Sequence, residues 1–248
     1  MQMLKETRKK IPIFMYHSIG SIKRGEGLRS LHVSPLLFNI QLFIMKILGY
    51  KGLDMDRLYP YLKGRKTGKV FGITFDDGYE NNYIKALPIL KKYNFYATCY
   101  IVANNISGEN YWDINKGYVS KKMMNFDQIE QWIKSGMSIG SHSLTHLRLA
   151  DLDSQIAENE ITASKKKLEQ NFGVKIEHFC YPYGSKNIDI ESIVKRAKYK
   201  TAVTVERGLA NVNKEFFSLP RVFITHRTYP HLLILKILSN YESSRKKR

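Results

Sequence analysis

Short runs of apolar, β-branched and aromatic residues alternate along the chain with longer segments whose apolar positions recur at helical spacing. Ile11 to Gly20 (IPIFMYHSIG) reads as a compact strand that breaks at Gly20, and Pro35 to Leu48 as a well-buried helix stopped by Gly49. Lys69 to Phe75 (KVFGITF) is the next strand. It runs into Asp76-Asp77-Gly78 and a helix from Glu80 to Tyr93, in which Pro88 should kink or restart the hydrogen-bond ladder. Phe95 to Ala103 is almost continuously apolar, as a strand covered on both faces should be. Residues 104 to 125 read as a long loop, which makes them a functional candidate in themselves. Beyond it the spacing predicts a helix from Phe126 to Ser135 capped by Gly136, a strand from Met137 to Gly140, and a charged helix from Asp153 to Phe172. A strand around His178 to Tyr181, a helix from Ile188 to Lys198, and strands from Thr201 to Val205 and Leu219 to Ile224 complete the pattern.

These strand-helix steps predict about seven parallel strands in one α/β barrel-like domain, since no linker rich in Pro, Gly or Ser and no solenoid period interrupts them. The domain should span residues 11–238, between a basic N-terminal segment, 1–10, and a basic C-terminal tail, 239–248. At 248 residues the chain is long enough for its own core, so neither disulfides nor a structural metal is needed for folding, and disorder is excluded. Cys99 and Cys180 sit in apolar, strand-like runs and read as small buried side chains in a reducing compartment. The N-terminal MQMLKETRKKIPIF lacks the apolar stretch of a signal peptide, and no segment approaches the ~20 apolar residues of a membrane span. A cytoplasmic location is the expectation.

Charge changes the picture next. A net charge of +18 suits nucleic acid, an anionic membrane or an acidic substrate without choosing among them. Part of the excess lies at the ends, at Lys5, Arg8, Lys9 and Lys10 and again at Arg245, Lys246, Lys247 and Arg248, where a solvated tail is the plain alternative.

In a parallel barrel the residues just past the strand C-termini converge on one face, where catalytic groups belong. Three polar clusters fall there: Asp76-Asp77 after GITF, His142 and His146 after MSIG, and Tyr181-Pro182-Tyr183-Gly184 after HFC. Adjacent aspartates cannot point the same way, so one can ligate a metal while the other serves as a base. Two histidines at i and i+4 fall on one side of a helical turn and can share an ion. Asp77, His142 and His146 would offer two nitrogens and one oxygen, leaving coordination open. Each cluster alone is also an ordinary turn or structural pair.

Together, TFDDGY (74–79), SHSLTH (141–146) and YPYG (181–184) resemble the polysaccharide deacetylases of carbohydrate esterase family 4, the NodB-homology domain. The likeness extends to MYHSIG, ALPILKKY, the EIxxSKxxLE pattern at 160–169 and LPRV at 219–222. It implies a deformed (β/α) barrel and metal-dependent hydrolysis of an N-acetyl group on an amino sugar. By motif, Asp76 is then the general base, Asp77, His142 and His146 hold a divalent metal, and the backbone N–H of Tyr183 is the oxyanion donor. Zinc is the usual ion, and the mixed nitrogen and oxygen set also suits cobalt or nickel.

Two departures stand out. Many members begin the third motif with an arginine that tethers the catalytic aspartate, a place held here by Cys180; Arg221 is the expected substitute. The general acid, normally a histidine near the C-terminus, has no clean copy. His17 in MYHSIG is favoured over His226 in FITHRT. Tyr79, Tyr111 and Trp112 are candidates to line a sugar groove, whereas His32, His178 and His231 read as structural.

A catalytically silent carbohydrate- or lipid-linked-glycan-binding protein on the same fold is the alternative, although no ligand or base has been lost. A nucleic-acid partner is not expected, because no recognisable motif supports it. The expected substrate is an N-acetylated glycan or a lipid-linked sugar. Pro230 to Leu238 (PHLLILKIL) with the basic tail could lie on an anionic membrane, or could simply be a final packing helix.

Overall fold

Strand residues point alternately to opposite faces of a sheet, and here both faces are buried. The computed structural model describes residues 10–21, 28–114 and 119–245; Lys5, Arg8, Lys9 and residues 246–248 of the basic ends lie outside them. Strands β1 (Ile13–Tyr16), β2 (Val70–Phe75), β3 (Thr98–Ile101), β4 (Ser138–Ser141), β5 (His178–Cys180), β6 (Thr201–Arg207) and β7 (Leu219–Phe223) are all parallel. They follow one another in chain order, and β7 pairs back onto β1 to close the barrel. The barrel is uneven. β4 and β5 share only the Ser141–Phe179 register pair, and a short strand, Lys51–Leu53, occupies the first half of β2 before β3 pairs from Thr74 onward.

Helices α1 (Pro35–Ile47), α2 (Met55–Leu62), α3 (Leu87–Tyr93), α4 (Phe126–Lys134), α5 (Ser154–Phe172), α6 (Ile188–Arg196) and α7 (Pro230–Leu238) complete the layers. Side-chain caps start several of them. Ser34 Oγ accepts from Leu37 N, Asn125 and Gln128 form a capping box, and Asn187 accepts from Ile190 N. The outward strand residues, among them Phe14, Phe71, Ile73, Phe75, Ile139 and Phe179, form the larger core against these helices. Inward residues Ile13, Val70, Tyr100, Cys180, Val203 and Leu219 form a second cluster with Met55, Leu58 and Leu62 of α2.

Helix α2 therefore plugs the end of the barrel where the strands begin. Its Met55 N–H donates to Thr98 Oγ1 at 2.8 Å, and Leu58 Cδ2 lies 2.9 Å from where a Cβ on Gly72 would stand. With that end closed, the barrel interior opens at the C-terminal rim of the strands, where the cleft holding Asp76 and Asp77 lies. Gly140 on β4 is demanded by the same crowding, since a Cβ there would come within 2.5 Å of the Tyr100 ring and 2.8 Å of His178 O.

Some elements differ from the pattern. Neither α2 nor Lys51–Leu53 stands out as an apolar run. Pro88 falls in the first turn of α3, preceded by a π-helical stretch, Asn82–Ala86, that absorbs the interrupted ladder. Residues 104–125 are less loop-like than their composition suggests. Tyr111–Ile114 forms a helical turn, and antiparallel bridges join Glu109 to Lys122 and Tyr79 to Met123. Helix α7 buries Leu233, Lys236 and Ile237, and Lys236 is ion-paired with Glu242. Among the described residues, no helix is long and apolar enough to cross a membrane.

Candidate active site

β2 delivers Asp76 to the barrel rim, where its N–H is held by Tyr16 O at 3.0 Å. Asp77 (φ 73°) and Gly78 (φ 89°) then take left-handed backbone conformations, which turns the two carboxylates apart. Asp76 faces Arg221 of β7. Nη1 reaches Oδ1 and Nη2 reaches Oδ2, each at 2.7 Å. The guanidinium also donates to Thr204 O, Thr74 Oγ1 and Cys180 Sγ, so its five N–H groups are all engaged. Burial alone would push the Asp76 carboxyl up, but Arg221 outweighs it and holds the pKa below the ordinary carboxylate range. Cys180 thus occupies the inward β5 position against which the arginine packs.

Asp77 faces the other way. Its Oδ1 stands 3.3 Å from both His142 Nε2 and His146 Nε2. His142 Nδ1 can only donate to the carbonyl of Cys180, at 2.8 Å, which fixes the ring with its Nε2 facing Asp77. The helical turn expected for the two histidines does not form. The chain instead leaves β4 after Ser141 through a tight loop with Ser143 at φ 63° and His146 at φ 61°. His146 Nδ1 is buried without a hydrogen-bond partner among the described residues.

Three ligand atoms at these separations suit a metal. With metal–ligand bonds of ~2.0–2.1 Å, a tetrahedral ion would set neighbouring ligands ~3.3–3.4 Å apart; Asp77 Oδ1 already stands at 3.3 Å from both histidines, and all three ligand atoms lie within 4.8 Å of one another. Burial opposes charge on Asp77, yet the hydrogen bonds from His142 and His146 draw its carboxyl well below the usual range.

The loop carrying these histidines is clamped by a residue the sequence reading assigned no role. Glu160 of α5 accepts from Leu144 N at 3.0 Å, Thr145 N at 2.9 Å and Thr145 Oγ1 at 2.6 Å. Its signal was present, as a glutamate within the apolar stripe of an otherwise solvated helix, buried to 4% exposure.

These groups open into a cleft of about 430 Å³ lined also by His17, Trp112, Tyr181 and Tyr183. His17 Nε2 lies 3.8 Å from Asp76 Oδ2, and its Nδ1 is buried without a hydrogen-bond partner among the described residues. His226 sits in a different depression with Arg29, His32 and Tyr229. Tyr183 (φ 57°) packs edge-on to His146 at 4.6 Å, and Trp112 stacks on the same ring at 4.2 Å. Tyr111 borders an adjoining groove. Tyr79 does not line the cleft; it is buried, with its hydroxyl accepting from Asn110 Nδ2 at 3.4 Å, and burial pushes its pKa up. His32 bonds Ser18 Oγ at 2.8 Å, and burial lowers its pKa to about 4. His178 lies between Thr201 and Asp56, and His231 is exposed on α7.

Comparison with known proteins agrees in fold and in family. The chain is 31% identical over 222 residues to YxkH of Bacillus subtilis, assigned to the polysaccharide deacetylases, covering 89% of this chain and 73% of the relative. It is 27% identical over 230 residues to the poly-β-1,6-N-acetyl-D-glucosamine N-deacetylase of Staphylococcus aureus, covering 89% and 77%. The Streptococcus pyogenes deacetylase PplD, solved in complex with acetate, superposes with a TM-score of 0.81 at 29% identity, covering 93% of this chain and 99% of that one. The polysaccharide deacetylase family model matches residues 63–202, a span that holds Asp76, Asp77, His142, His146 and Tyr183 but neither His17 nor Arg221. With the barrel, the paired aspartates and this match in agreement, the chain belongs to the polysaccharide deacetylase family.

Proposed function

We propose that the protein hydrolyses the N-acetyl group of amino-sugar units in a polysaccharide or a glycan precursor, releasing acetate and a free amine, with a divalent metal, zinc before cobalt or nickel, at Asp77, His142 and His146. The observation that carries this reading is the juxtaposition of an arginine-paired Asp76 with that ligand set at one end of a single cleft. A divalent ion held there would supply Lewis-acid chemistry, polarising the acetamide carbonyl and lowering the pKa of a water.

The chain's own groups do the rest. Asp76, kept ionised by Arg221, takes a proton from the attacking water as general base. His17, on the same side of the cleft, protonates the amine as the C–N bond breaks. The backbone N–H of Tyr183 is the proposed donor to negative charge developing on the acetamide oxygen, a role that rests on the resemblance of its turn. Trp112 and the Tyr183 ring offer apolar faces against which a pyranose can pack.

The name of the Staphylococcus aureus relative makes poly-β-1,6-N-acetylglucosamine the first polymer to assay. Acetate release from a panel of N-acetylated polymers and lipid-linked N-acetyl sugars tests the proposal, with metal-loaded protein throughout. Release from one class identifies the substrate. Saturable glycan binding without acetate from any of them would favour the silent binder instead.

A further inference from the structure

Helix α1 turns a row of apolar side chains to solvent. Leu36, Phe43 and Ile47 are 70%, 50% and 66% exposed, and half-buried Ile40 completes a stripe at helical spacing. The opposite face, with Leu37, Phe38, Leu42 and Met45, is in the core, so the stripe is not needed for folding. α7 packs beside α1, and Gln41 Nε2 of α1 donates at 2.8 Å to Thr228 O in the turn that leads into α7. α7 in turn exposes Leu235 and Leu238 by 45% and 65%, with Tyr229 52% exposed at its start. Isolated exposed leucines are ordinary, but two adjacent helices that each present an uncovered apolar row mark a binding surface.

Charge selects the occupant. α1, α3, α7 and the Asn82–Ala86 segment carry no aspartate or glutamate, and their exposed lysines are Lys46, Lys85, Lys91 and Lys92, Lys236 being buried against Glu242. Glu242, in the turn after α7, is buried and bound by Arg207 and Lys236. From this we infer that α1 and α7 form a docking face for an anionic phospholipid surface. Apolar rows sink to the headgroup boundary while the bordering lysines meet lipid phosphates, and Tyr229 is of the type that settles at that boundary. A second copy of the chain is the poorer occupant, because it would bring +18 against +18 with Lys46 at the contact. Both helices flank the barrel, so docking through them leaves the cleft at its rim open. The inference is independent of the proposed reaction.

Flotation of the purified full chain with vesicles is the test, comparing phosphatidylcholine alone with phosphatidylcholine containing phosphatidylglycerol. At low salt, recovery with the anionic vesicles should exceed recovery with the neutral ones by about tenfold or more. The triple variant Leu36→Ser, Phe43→Ser, Ile47→Ser should lose about tenfold of that binding, with its thermal midpoint showing that it folds. Leu235→Ser with Leu238→Ser provides a second variant should the first fail to fold. Wild-type protein that stays at the bottom of the gradient with anionic vesicles overturns the inference. So does a folded variant that floats like wild type, or a wild-type dimer in sedimentation that the triple variant dissociates without changing flotation.

Discussion

Arg221 and Asp76, 145 residues apart in the chain, meet in a fork-to-fork ion pair with two contacts of 2.7 Å. Arg221 is 0% exposed and Asp76 2%. A pair this deeply buried holds the carboxylate as an anion and fixes its orientation, but it leaves a costly charge behind when one partner is removed.

Arg221→Met should therefore destabilise the fold by ~3–5 kcal/mol and move the acidic limb of the kcat/KM profile to higher pH. The sign follows from Asp76, whose folded pKa is depressed. Its contribution to stability is present above the ordinary carboxylate pKa and is lost as pH falls through the folded value. Arg221→Lys should restore part of the charge effect without the bidentate geometry. An unaltered pH profile and turnover in Arg221→Met would remove the arginine from the account.

His17 and His226 are separated by the structure in a way that motif spacing could not achieve, one lining the cleft and the other a separate depression. His17→Ala should lower kcat by ~10²–10⁴, the usual scale for a general acid, at unchanged metal content. His226→Ala should leave turnover unchanged. The reverse ranking, measured at equal metal occupancy, would reassign the acid.

Glu160 holds the loop between His142 and His146 through three hydrogen bonds. Glu160→Ala should weaken metal affinity by ~10–100-fold, as loss of an outer support for a ligand does, while excess metal restores turnover. Competition with a chelator of known affinity reads this directly. An affinity equal to wild type would make Glu160 a helix-packing residue only.

Much of this was legible in the chain. The strands ending in Phe75 before Asp76, in Ser141 before His142, and in Cys180 were visible as apolar runs because both of their faces are covered, and the order of polar clusters at their ends located the rim. The missing arginine at Cys180 also pointed to Arg221, since an ionised aspartate inside a barrel requires a cation. Helix α2 was less visible. It has only eight residues, contains Pro60, and buries just Met55, Leu58 and Leu62. Its signal was Asp54 as an N-cap before apolar residues at helical spacing. The left-handed conformations of Ser143 and His146 were not legible at all, because neither residue type announces positive φ and the loop is dictated by Glu160 from another element.

Gly140 offers a test of the barrel itself. Gly140→Ala drives a methyl group into the Tyr100 ring and the His178 carbonyl, and should cost ~1–3 kcal/mol by overpacking. Denaturant unfolding measures this, and combining it with Tyr100→Leu should recover part of the loss. A neutral Gly140→Ala would mean that the strands around β4 yield more readily than their packing implies.

The central claim is that Asp76 works with the Asp77, His142 and His146 set to cleave an acetamide. Quantifying acetate and free amine together from an N-acetylglucosamine polymer tests it most directly, comparing wild type with Asp76→Asn at matched metal content and with metal-stripped wild type. The account predicts equal amounts of the two products from metal-loaded wild type, a fall of ~10²-fold or more in Asp76→Asn, and loss on metal removal that zinc reverses. Equal turnover by Asp76→Asn, or full turnover by the stripped protein, would contradict it.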